Sequence, residues 1–323
     1  MDPKYRSWQC RIVLLLSIVG ILGYSSLLFT PPVAAAVVKD ESSELSSETG
    51  VPLYLWHDTS YQKPVAVVVA VHGSAQQGGS MNALATALAK QGYYVVAPDI
   101  RGHGRWQQSN QPQDASYNAL IQSVNDLTNI LKLIQRKYPK TNISCLGESI
   151  GVGIVLAAVA KSPKRVKGLI LCSAGVQPHL HNPMKLGTEF VTGMASLVEP
   201  VDISKYLNMY SSDDARVAEE MVNDPLGKNK QTGLELLGTF NFLHQEPEFA
   251  ANVPGNVRAL VIQGEADQVL EPDSAYQIFS ALKTKKKTFL MIPGAGHVLV
   301  GTSFIKPNVL SSIQSWLSEN NPN

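Results

Sequence analysis

The chain has 323 residues, 44% of them hydrophobic, which is enough to bury the core of one large α/β domain or of two small domains. Its 27 Lys and Arg residues nearly balance its 26 Asp and Glu residues, and no block of five like charges occurs. This balance argues against a nucleic-acid-binding protein that is held by phosphate contacts. The three cysteines and seven histidines show no disulfide framework and no metal-ligand spacing, so we expect no bound metal.

The N-terminus predicts an export segment over residues 1–38. Basic residues up to Arg11 precede an apolar run over residues 12–29, and small residues follow near Ala36. This order is typical of a signal peptide cleaved after the small residues, and equally of an uncleaved membrane anchor. In both cases the rest of the chain is exported, either as a membrane-anchored extracytoplasmic domain or as a secreted or periplasmic protein.

The segment that follows, residues 39–50, is rich in Ser and Glu and has almost no apolar residues. Such a composition cannot bury a core and predicts a flexible linker. We therefore expect the globular domain to cover residues 51–323.

Within this domain, apolar runs of strand length alternate with segments of helical period, the pattern of a mostly parallel sheet flanked by helices. An amphipathic helix is predicted around residues 120–134, where apolar residues recur at steps of three and four. The sequence therefore predicts an α/β fold. The predicted strands are 65–71, 94–97, 143–146, 168–172, 259–262 and 289–292.

The alternation fails over residues 175–253, where helical fragments and loops replace strands. We interpret this stretch as a helical cap inserted over the sheet. The apolar residues Phe190, Met194, Leu197 and Val198 have helical spacing. They either face an apolar substrate or only pack the cap onto the body, because spacing does not separate the two.

Ser149 is the candidate nucleophile. It lies in Gly147-Glu148-Ser149-Ile150-Gly151, where a predicted strand meets a helix-forming run. A sharp strand-to-helix turn at a Gly-x-Ser-x-Gly motif exposes the serine hydroxyl. The alternative, a serine that only caps the helix, does not require this context.

A serine nucleophile requires a base and an acid that orients the base. His297 is the candidate base, because it follows the last strand in the glycine-rich Pro293-Gly294-Ala295-Gly296 loop. Asp267, a few residues past the preceding strand, is the candidate acid. The nearby carboxylates are Glu265, Glu271 and Asp273, of which the last two flank Pro272 at a predicted helix start, where acidic residues serve the helix dipole.

The oxyanion of acyl transfer requires preorganised donors. One candidate is the backbone N–H of Ile150, and the second comes from the loop after the first long strand, where Ser74 is the best candidate. His72 and His103 are interpreted as structural residues near the site.

With these residues, the chain resembles the α/β-hydrolase superfamily and, within it, the group of monoacylglycerol lipases, lysophospholipases and serine aminopeptidases. The resemblance spans about residues 65–317. It implies Ser149, Asp267 and His297 as a catalytic triad, Ser74 and Ile150 as oxyanion donors, and a mobile cap over an acyl pocket. Besides the triad, it rests on His72-Gly73, on Ala-Pro-Asp-Ile-Arg-Gly-His-Gly at 97–104 and on Asp224-Pro225-Leu226.

One departure from the common lipase pattern concerns the substrate. Lipases of this group usually carry His before the nucleophile and Gly-Gly after it, whereas this chain has Glu148 and Gly151-Val152. The catalytic triad does not depend on these positions. The assignment of a glycerolipid substrate does, and the departure weakens it.

We therefore expect a serine esterase that needs no metal or organic cofactor and acts on a lipid-like ester, such as a monoacylglycerol or a lysophospholipid. The N-terminus would hold it near membranes, and the sequence does not specify an oligomeric state. A serine aminopeptidase is the first alternative, with Glu189, Glu219 or Glu220 binding the substrate ammonium. The second is a non-enzymatic ligand receptor on the same fold.

Overall fold

The computed structural model describes residues 36–41, 43–108, 116–161, 166–179 and 197–321. The predicted export segment, apart from its last three residues, lies outside these ranges. Within them, every helix is too short or too polar to span a bilayer.

The described residues form an eight-stranded sheet with the order β1-β2-β4-β3-β5-β6-β9-β10. The six strands β4, β3, β5, β6, β9 and β10 run parallel to one another. Strand β2 pairs antiparallel with β4 on one side and with β1 on the other. A separate antiparallel ribbon joins β7 to β8. The strands are β1 (Val37–Asp40), β2 (Leu53–Asp58), β3 (Val67–Val71), β4 (Tyr94–Pro98), β5 (Ile143–Glu148), β6 (Val166–Cys172), β7 (Val201–Asp202), β8 (Lys230–Gln231), β9 (Arg258–Gly264) and β10 (Lys287–Ile292).

Helices cover both faces of this sheet. They are α1 (Glu44–Thr49), α2 (Asn82–Ala89), α3 (Tyr117–Lys137), α4 (Ile150–Lys161), α5 (Ser204–Tyr210), α6 (Ala215–Asn223), α7 (Gly233–His244), α8 (Glu246–Asn252), α9 (Ala275–Ala281) and α10 (Pro307–Asn320). The prediction of an α/β fold is therefore confirmed, and all six predicted strands are present.

Strand β3 shows why its sequence is apolar throughout. All five residues of Val67–Val71 are buried, because successive side chains point to opposite faces and both faces are covered. Val67 and Val69 join the core beneath α3 and α4, while Val68 and Ala70 join the core beneath α2 and α10.

The structure contradicts the flexible linker predicted over residues 39–50. Strand β1 extends the sheet by pairing with β2, and α1 begins at an N-cap where the Ser43 hydroxyl accepts the Ser46 N–H. Leu45 is buried in the main core, and Glu44 forms an ion pair with Lys137 of α3. This segment cannot build a core of its own, but it is ordered because β1 pairs with the free edge of β2 and because Leu45 packs into the core of the domain. The sheet of the domain accordingly begins at Val37 rather than at residue 51.

The stretch predicted as a cap contains α5, α6 and α7 and the β7–β8 ribbon. Its C-terminal part belongs to the body, because Phe242 of α7 and Ala250 of α8 lie in the main core. Phe190 and Met194 lie outside the described residues. Leu197 and Val198 are 48% and 67% exposed, so neither interpretation suggested for them holds at these two positions.

Leu45→Ala tests whether α1 is packed. We expect it to lower the free energy of unfolding by about 2–3 kcal/mol, as large-to-small substitutions of buried leucines do. Chemical denaturation monitored by circular dichroism measures the difference. Glu48→Ala, on the same helix but largely exposed, should change stability by less than about 0.5 kcal/mol. Equal effects of the two substitutions would contradict the packing.

Candidate active site

Ser149 occupies a strained turn between β5 and α4. Its φ of 54° is left-handed, a conformation that costs energy for a residue with a side chain and is concentrated at functional sites. Its N–H donates to the carbonyl of Cys172 on β6 at 3.0 Å, and its carbonyl accepts the N–H of Val152 at 2.8 Å. Strand β6 and helix α4 therefore both hold the turn that presents the hydroxyl group.

The glycines on either side of the serine are required by close packing. A Cβ atom at Gly147 would lie 2.5 Å from the carbonyl oxygen of Gly151. A Cβ atom at Gly151 would collide with the carbonyl oxygens of Val71 and His72 on the neighbouring strand end. The Gly-x-Ser-x-Gly pattern is thus a steric requirement of this turn.

The structure brings His297 and Asp267 to Ser149. The Nε2 atom of His297 lies 3.0 Å from Ser149 Oγ, and its Nδ1 atom lies 2.8 Å from Asp267 Oδ2. All three residues follow the carboxyl ends of parallel strands, which meet at one edge of the sheet. The spacing is that of a nucleophile, a base and an orienting acid.

Further hydrogen bonds fix the carboxylate of Asp267. Its Oδ1 atom accepts the N–H groups of Val269 at 2.8 Å and Leu270 at 3.0 Å, and its Oδ2 atom accepts the side-chain N–H of Gln263 at 2.8 Å. Because an ionised carboxylate only accepts, Nδ1 of His297 carries the proton that faces it. Nε2 is then free to accept the proton of Ser149.

The same contacts set the protonation of the pair. Burial raises the pKa of Asp267, but the nearby His297 and the hydrogen bonds outweigh burial and the pKa is lowered. Burial lowers the pKa of His297, but the charge of Asp267, their hydrogen bond and the charge of Glu148 outweigh burial and the pKa is raised. Asp267 therefore stays ionised and stabilises the imidazolium form of the base.

The other carboxylates near the predicted acid have different partners. Glu265 accepts the N–H of Gly294 at 3.1 Å, Glu271 pairs with His179 at 3.2 Å, and Asp273 is exposed in a short 3₁₀ turn. None of the three contacts His297 in the structure.

Ile150 directly follows Ser149, and Ser74 lies on the loop after β3. Ser74 lines the same cavity as Ser149, and its hydroxyl accepts a side-chain N–H of Gln231 on β8 at 3.3 Å. Ile150 is the first residue of α4, so its N–H belongs to the first turn, where backbone donors have no partner within the helix. The use of these N–H groups as oxyanion donors stays a prediction.

His72 has the structural role that the sequence analysis gave it. Its Nδ1 atom lies 2.8 Å from the carbonyl oxygen of Gly73, and its Nε2 atom accepts the N–H of Ile100 at 3.0 Å. Burial lowers the pKa of His72, so the ring stays neutral and joins two loops. His103 is also buried and contacts the carbonyl oxygen of Arg101 at 3.0 Å.

An apolar cavity of about 340 Å³ opens beside Ser149. Residues of the cap and of the loops after β6 and β9 line it, and the acidic side chain among its described lining residues is that of Glu148. Its largest apolar side chains are those of Ile203, Tyr206, Leu207, Met221, Leu236, Phe240, Leu243, Val269, Leu270 and Val298. Across the described ranges, no group of three or more His, Cys, Asp or Glu residues is placed to hold a metal ion.

Sequence reasoning missed several polar residues that support the site. Gln263 holds Asp267, Glu148 accepts N–H groups from the loop after His297, and the Ser173 hydroxyl donates to the His297 carbonyl oxygen. Gln263 and Glu148 are polar residues inside buried strands, which is a signal that the sequence does contain. Ser173 carries no comparable signal.

Known proteins share sequence and fold with this chain. A family model described as serine aminopeptidase, S33, matches residues 62–302. The monoglyceride lipase of Rattus norvegicus is 26% identical over 79% of this chain and 83% of its own length. A soluble variant of the monoglyceride lipase from Saccharomyces cerevisiae superposes with a TM-score of 0.68 at 15% identity, over 85% of this chain and 94% of that one. A thermostable carboxyl esterase from Bacillus coagulans superposes with a TM-score of 0.67 at 19% identity, over 88% of this chain and 99% of that one.

The His297–Asp267 pair predicts a pH dependence of Ser149 reactivity. The rate of labelling by a fluorophosphonate should rise with pH through a midpoint above about 6.5, the ordinary pKa of histidine, because only neutral imidazole accepts the serine proton. In Asp267→Asn the charge that raises this pKa is lost, so the midpoint should fall. The maximal rate should drop by about 10³- to 10⁴-fold.

Asp273→Asn is the matched control for this experiment. It makes the same change on an exposed aspartate nearby and should leave the rate and the midpoint unchanged. A labelling rate that does not depend on pH would contradict the role of His297.

Proposed function

Because the chain belongs to the family described as serine aminopeptidase, S33, and to the α/β-hydrolase group that includes monoacylglycerol lipases, we propose that it is a serine hydrolase that cleaves carboxylic esters. The observation that carries the proposal is the connected set Ser149–His297–Asp267 beside an apolar cavity. A hydroxyl, a base and a buried acid in this order are the requirements of acyl transfer.

In the proposed mechanism, Ser149 attacks the ester carbonyl while His297 takes the hydroxyl proton at Nε2. The tetrahedral oxyanion accepts the backbone N–H groups of Ile150 and Ser74. His297 then donates its proton to the departing alcohol, which leaves an acyl group on Ser149. Water, activated by the same histidine, hydrolyses this acyl-enzyme, and Asp267 stabilises the imidazolium in both halves.

The cavity favours a lipid-like acyl group. Its lining consists mainly of aliphatic and aromatic side chains, and its volume lies in the range of small-molecule sites. An alkyl chain placed there leaves water without exposing buried polar groups. The relatives named monoglyceride lipase support the same substrate class, so we infer a monoacylglycerol or a lysophospholipid.

Glu219 and Glu220, two of the candidate ammonium-binding residues of an aminopeptidase, are absent from the described lining of this cavity. Glu220 accepts the Thr302 hydroxyl at 2.6 Å and the Ser303 N–H at 2.9 Å, and Glu219 is exposed on α6. Glu189 lies outside the described residues. Glu148 is already occupied by three backbone N–H groups. The described part of the cavity therefore favours an ester over an aminoacyl amide.

We further propose that the chain is exported, on the basic and apolar pattern of residues 1–38. Fractionation of cells that express the full chain, with mass determination of its N-terminus, would distinguish a cleaved signal peptide from a membrane anchor. Recovery of the intact chain in the cytosolic fraction would contradict both.

The proposed reaction predicts a large effect of Ser149→Ala. On a panel of monoacylglycerols, lysophospholipids, short esters and aminoacyl amides, the wild type should hydrolyse esters, and the variant should lose at least about 10⁴-fold in kcat. Full esterase activity of the variant would contradict the mechanism. Covalent labelling of Ser149 without turnover of any ester would instead support a ligand receptor.

The acyl pocket is tested by filling it. Leu236→Trp adds volume to the cavity wall, so kcat/KM should fall by about tenfold or more for long acyl chains and change little for acetyl or butyryl esters. Leu237→Trp is the matched control, because its side chain is exposed on the same helix and absent from the cavity lining. An equal loss for all chain lengths in Leu236→Trp would contradict the assignment.

A further inference from the structure

Glu148 directly precedes the nucleophile and is bonded to the loop that carries the base. Its Oε1 atom accepts the N–H groups of Leu299 at 2.7 Å and Val300 at 2.8 Å, and its Oε2 atom accepts the N–H of Gly301 at 3.0 Å. The side chain is 1% exposed. Three consecutive peptide groups, beginning two residues after His297, are thus fixed to one carboxylate.

Gln76 connects the loop after β10 that carries His297 (the histidine loop) to the loop after β3 that carries Ser74 (the oxyanion loop). Its Nε2 atom donates to the carbonyl oxygen of Gly301 at 2.7 Å, and its Oε1 atom accepts the N–H of Gly73 at 2.8 Å. A Cβ atom at Gly301 would collide with the side-chain ends of both Gln76 and Glu148, so a larger residue here would displace the two groups that hold the loop. The turn at Ser149, the oxyanion loop and the histidine loop therefore meet at one buried polar cluster.

The cap holds the histidine loop from the other side. The N–H of Gly296 donates to Asp213 at 2.7 Å, and the N–H of Val298 donates to the carbonyl oxygen of Ser211 at 2.9 Å. Of the groups involved, Asp213 is an exposed carboxylate, and the Val298–Ser211 contact joins two backbone groups. Glu148 differs from them because a buried carboxylate loses its hydration and depends on its protein donors.

The hydrogen bonds indicate which form of Glu148 is present. Burial raises the pKa of Glu148, and the three backbone N–H groups and the charge of His297 act against this rise. All three hydrogen bonds to its oxygen atoms come from N–H donors, which suits a carboxylate because a carboxylate only accepts. Bonds to an ionised group are about twice as strong as neutral ones. Removal of the charge should therefore loosen the loop and lower the electrostatic stabilisation of the His297 imidazolium.

We propose that Glu148 is a positioning residue of the active site, which fixes the ring of His297 against Ser149 by holding the backbone of residues 299–301 as an anion. This inference rests on the proposed function and goes beyond it, since it assigns a role to a residue at which the chain departs from the lipase pattern. It also gives a physical meaning to that departure, because a histidine at this position would add a donor where three N–H donors already converge.

The test is Glu148→Gln, compared with the wild type and with Glu148→Asp. The amide keeps the shape, loses the charge and turns one acceptor into a donor that faces Gly301. We expect kcat/KM for an ester and the rate of fluorophosphonate labelling to fall in parallel by about 10²-fold, the scale of a misplaced catalytic group, with little change in KM. Glu148→Asp keeps the charge and should recover part of the rate.

The pH profile separates positioning from simple loss of stability. Asp267 and Glu148 act on His297, the Tyr206 phenol lies near Asp267, and the Cys172 thiol lies near Glu148. A negative charge at Glu148 favours the imidazolium, so its removal should shift the midpoint of the activity profile to lower pH in Glu148→Gln but not in Glu148→Asp. A variant that is merely less stable would keep the wild-type midpoint.

Glu319→Gln is the matched control, because it makes the same change on an exposed residue of α10 and should match the wild type in rate and midpoint. A kcat/KM of Glu148→Gln within twofold of the wild type, or a loss of rate without a shift of the midpoint, would overturn the proposal. The labelling rate is independent of the ester chosen, so failure of this inference is distinguishable from a wrong substrate, and Ser149→Ala tests the chemistry separately.

Hydrogen exchange of the wild type covers the case in which Glu148→Gln does not fold. The amides of Leu299, Val300 and Gly301 should exchange only with global unfolding, because each is bonded to a buried carboxylate. Exchange of these amides at the rate of exposed loop amides would overturn the proposal.

Discussion

The turn at Ser149 is the constraint on which the site depends. A left-handed serine is unfavourable by itself, so the turn persists only because β5 and α4 are held by the core on both sides. Gly151 then allows the helix to approach the end of β3, where the oxyanion loop begins. The core of the sheet thus supplies the free energy that keeps a reactive hydroxyl exposed, and the same packing places its neighbours.

Two buried carboxylates use the same physical solution on different loops. Asp267 and Glu148 each accept backbone N–H groups of consecutive residues, Val269 and Leu270 for the former and the loop after His297 for the latter. Each N–H group replaces part of the lost hydration, and each carboxylate fixes a loop in return. The histidine is therefore oriented through its ring by one anion and through its backbone by the other.

The cap joins this framework instead of lying loosely over it. Asp213 contacts the histidine loop, Gln231 contacts Ser74, and Glu220 holds Thr302 next to the Glu148 cluster. The same cap elements line the apolar cavity and fix the catalytic loops. On α6, for example, Met221 lines the cavity and Glu220 binds Thr302. A change in the position of the cap would therefore alter both substrate space and the geometry of the base.

The sequence by itself determined the alternation of strands and helices, the position of Ser149 and the order of its partners Asp267 and His297. These features are local, because periodicity and strand-end position are written in neighbouring residues. Only the tertiary structure decided that residues 37–40 extend the sheet and residues 44–49 form a packed helix, that Leu197 and Val198 are exposed, and that Glu148 binds a loop about 150 residues away. Such outcomes depend on an open strand edge or on donors brought together by folding, which no local pattern encodes.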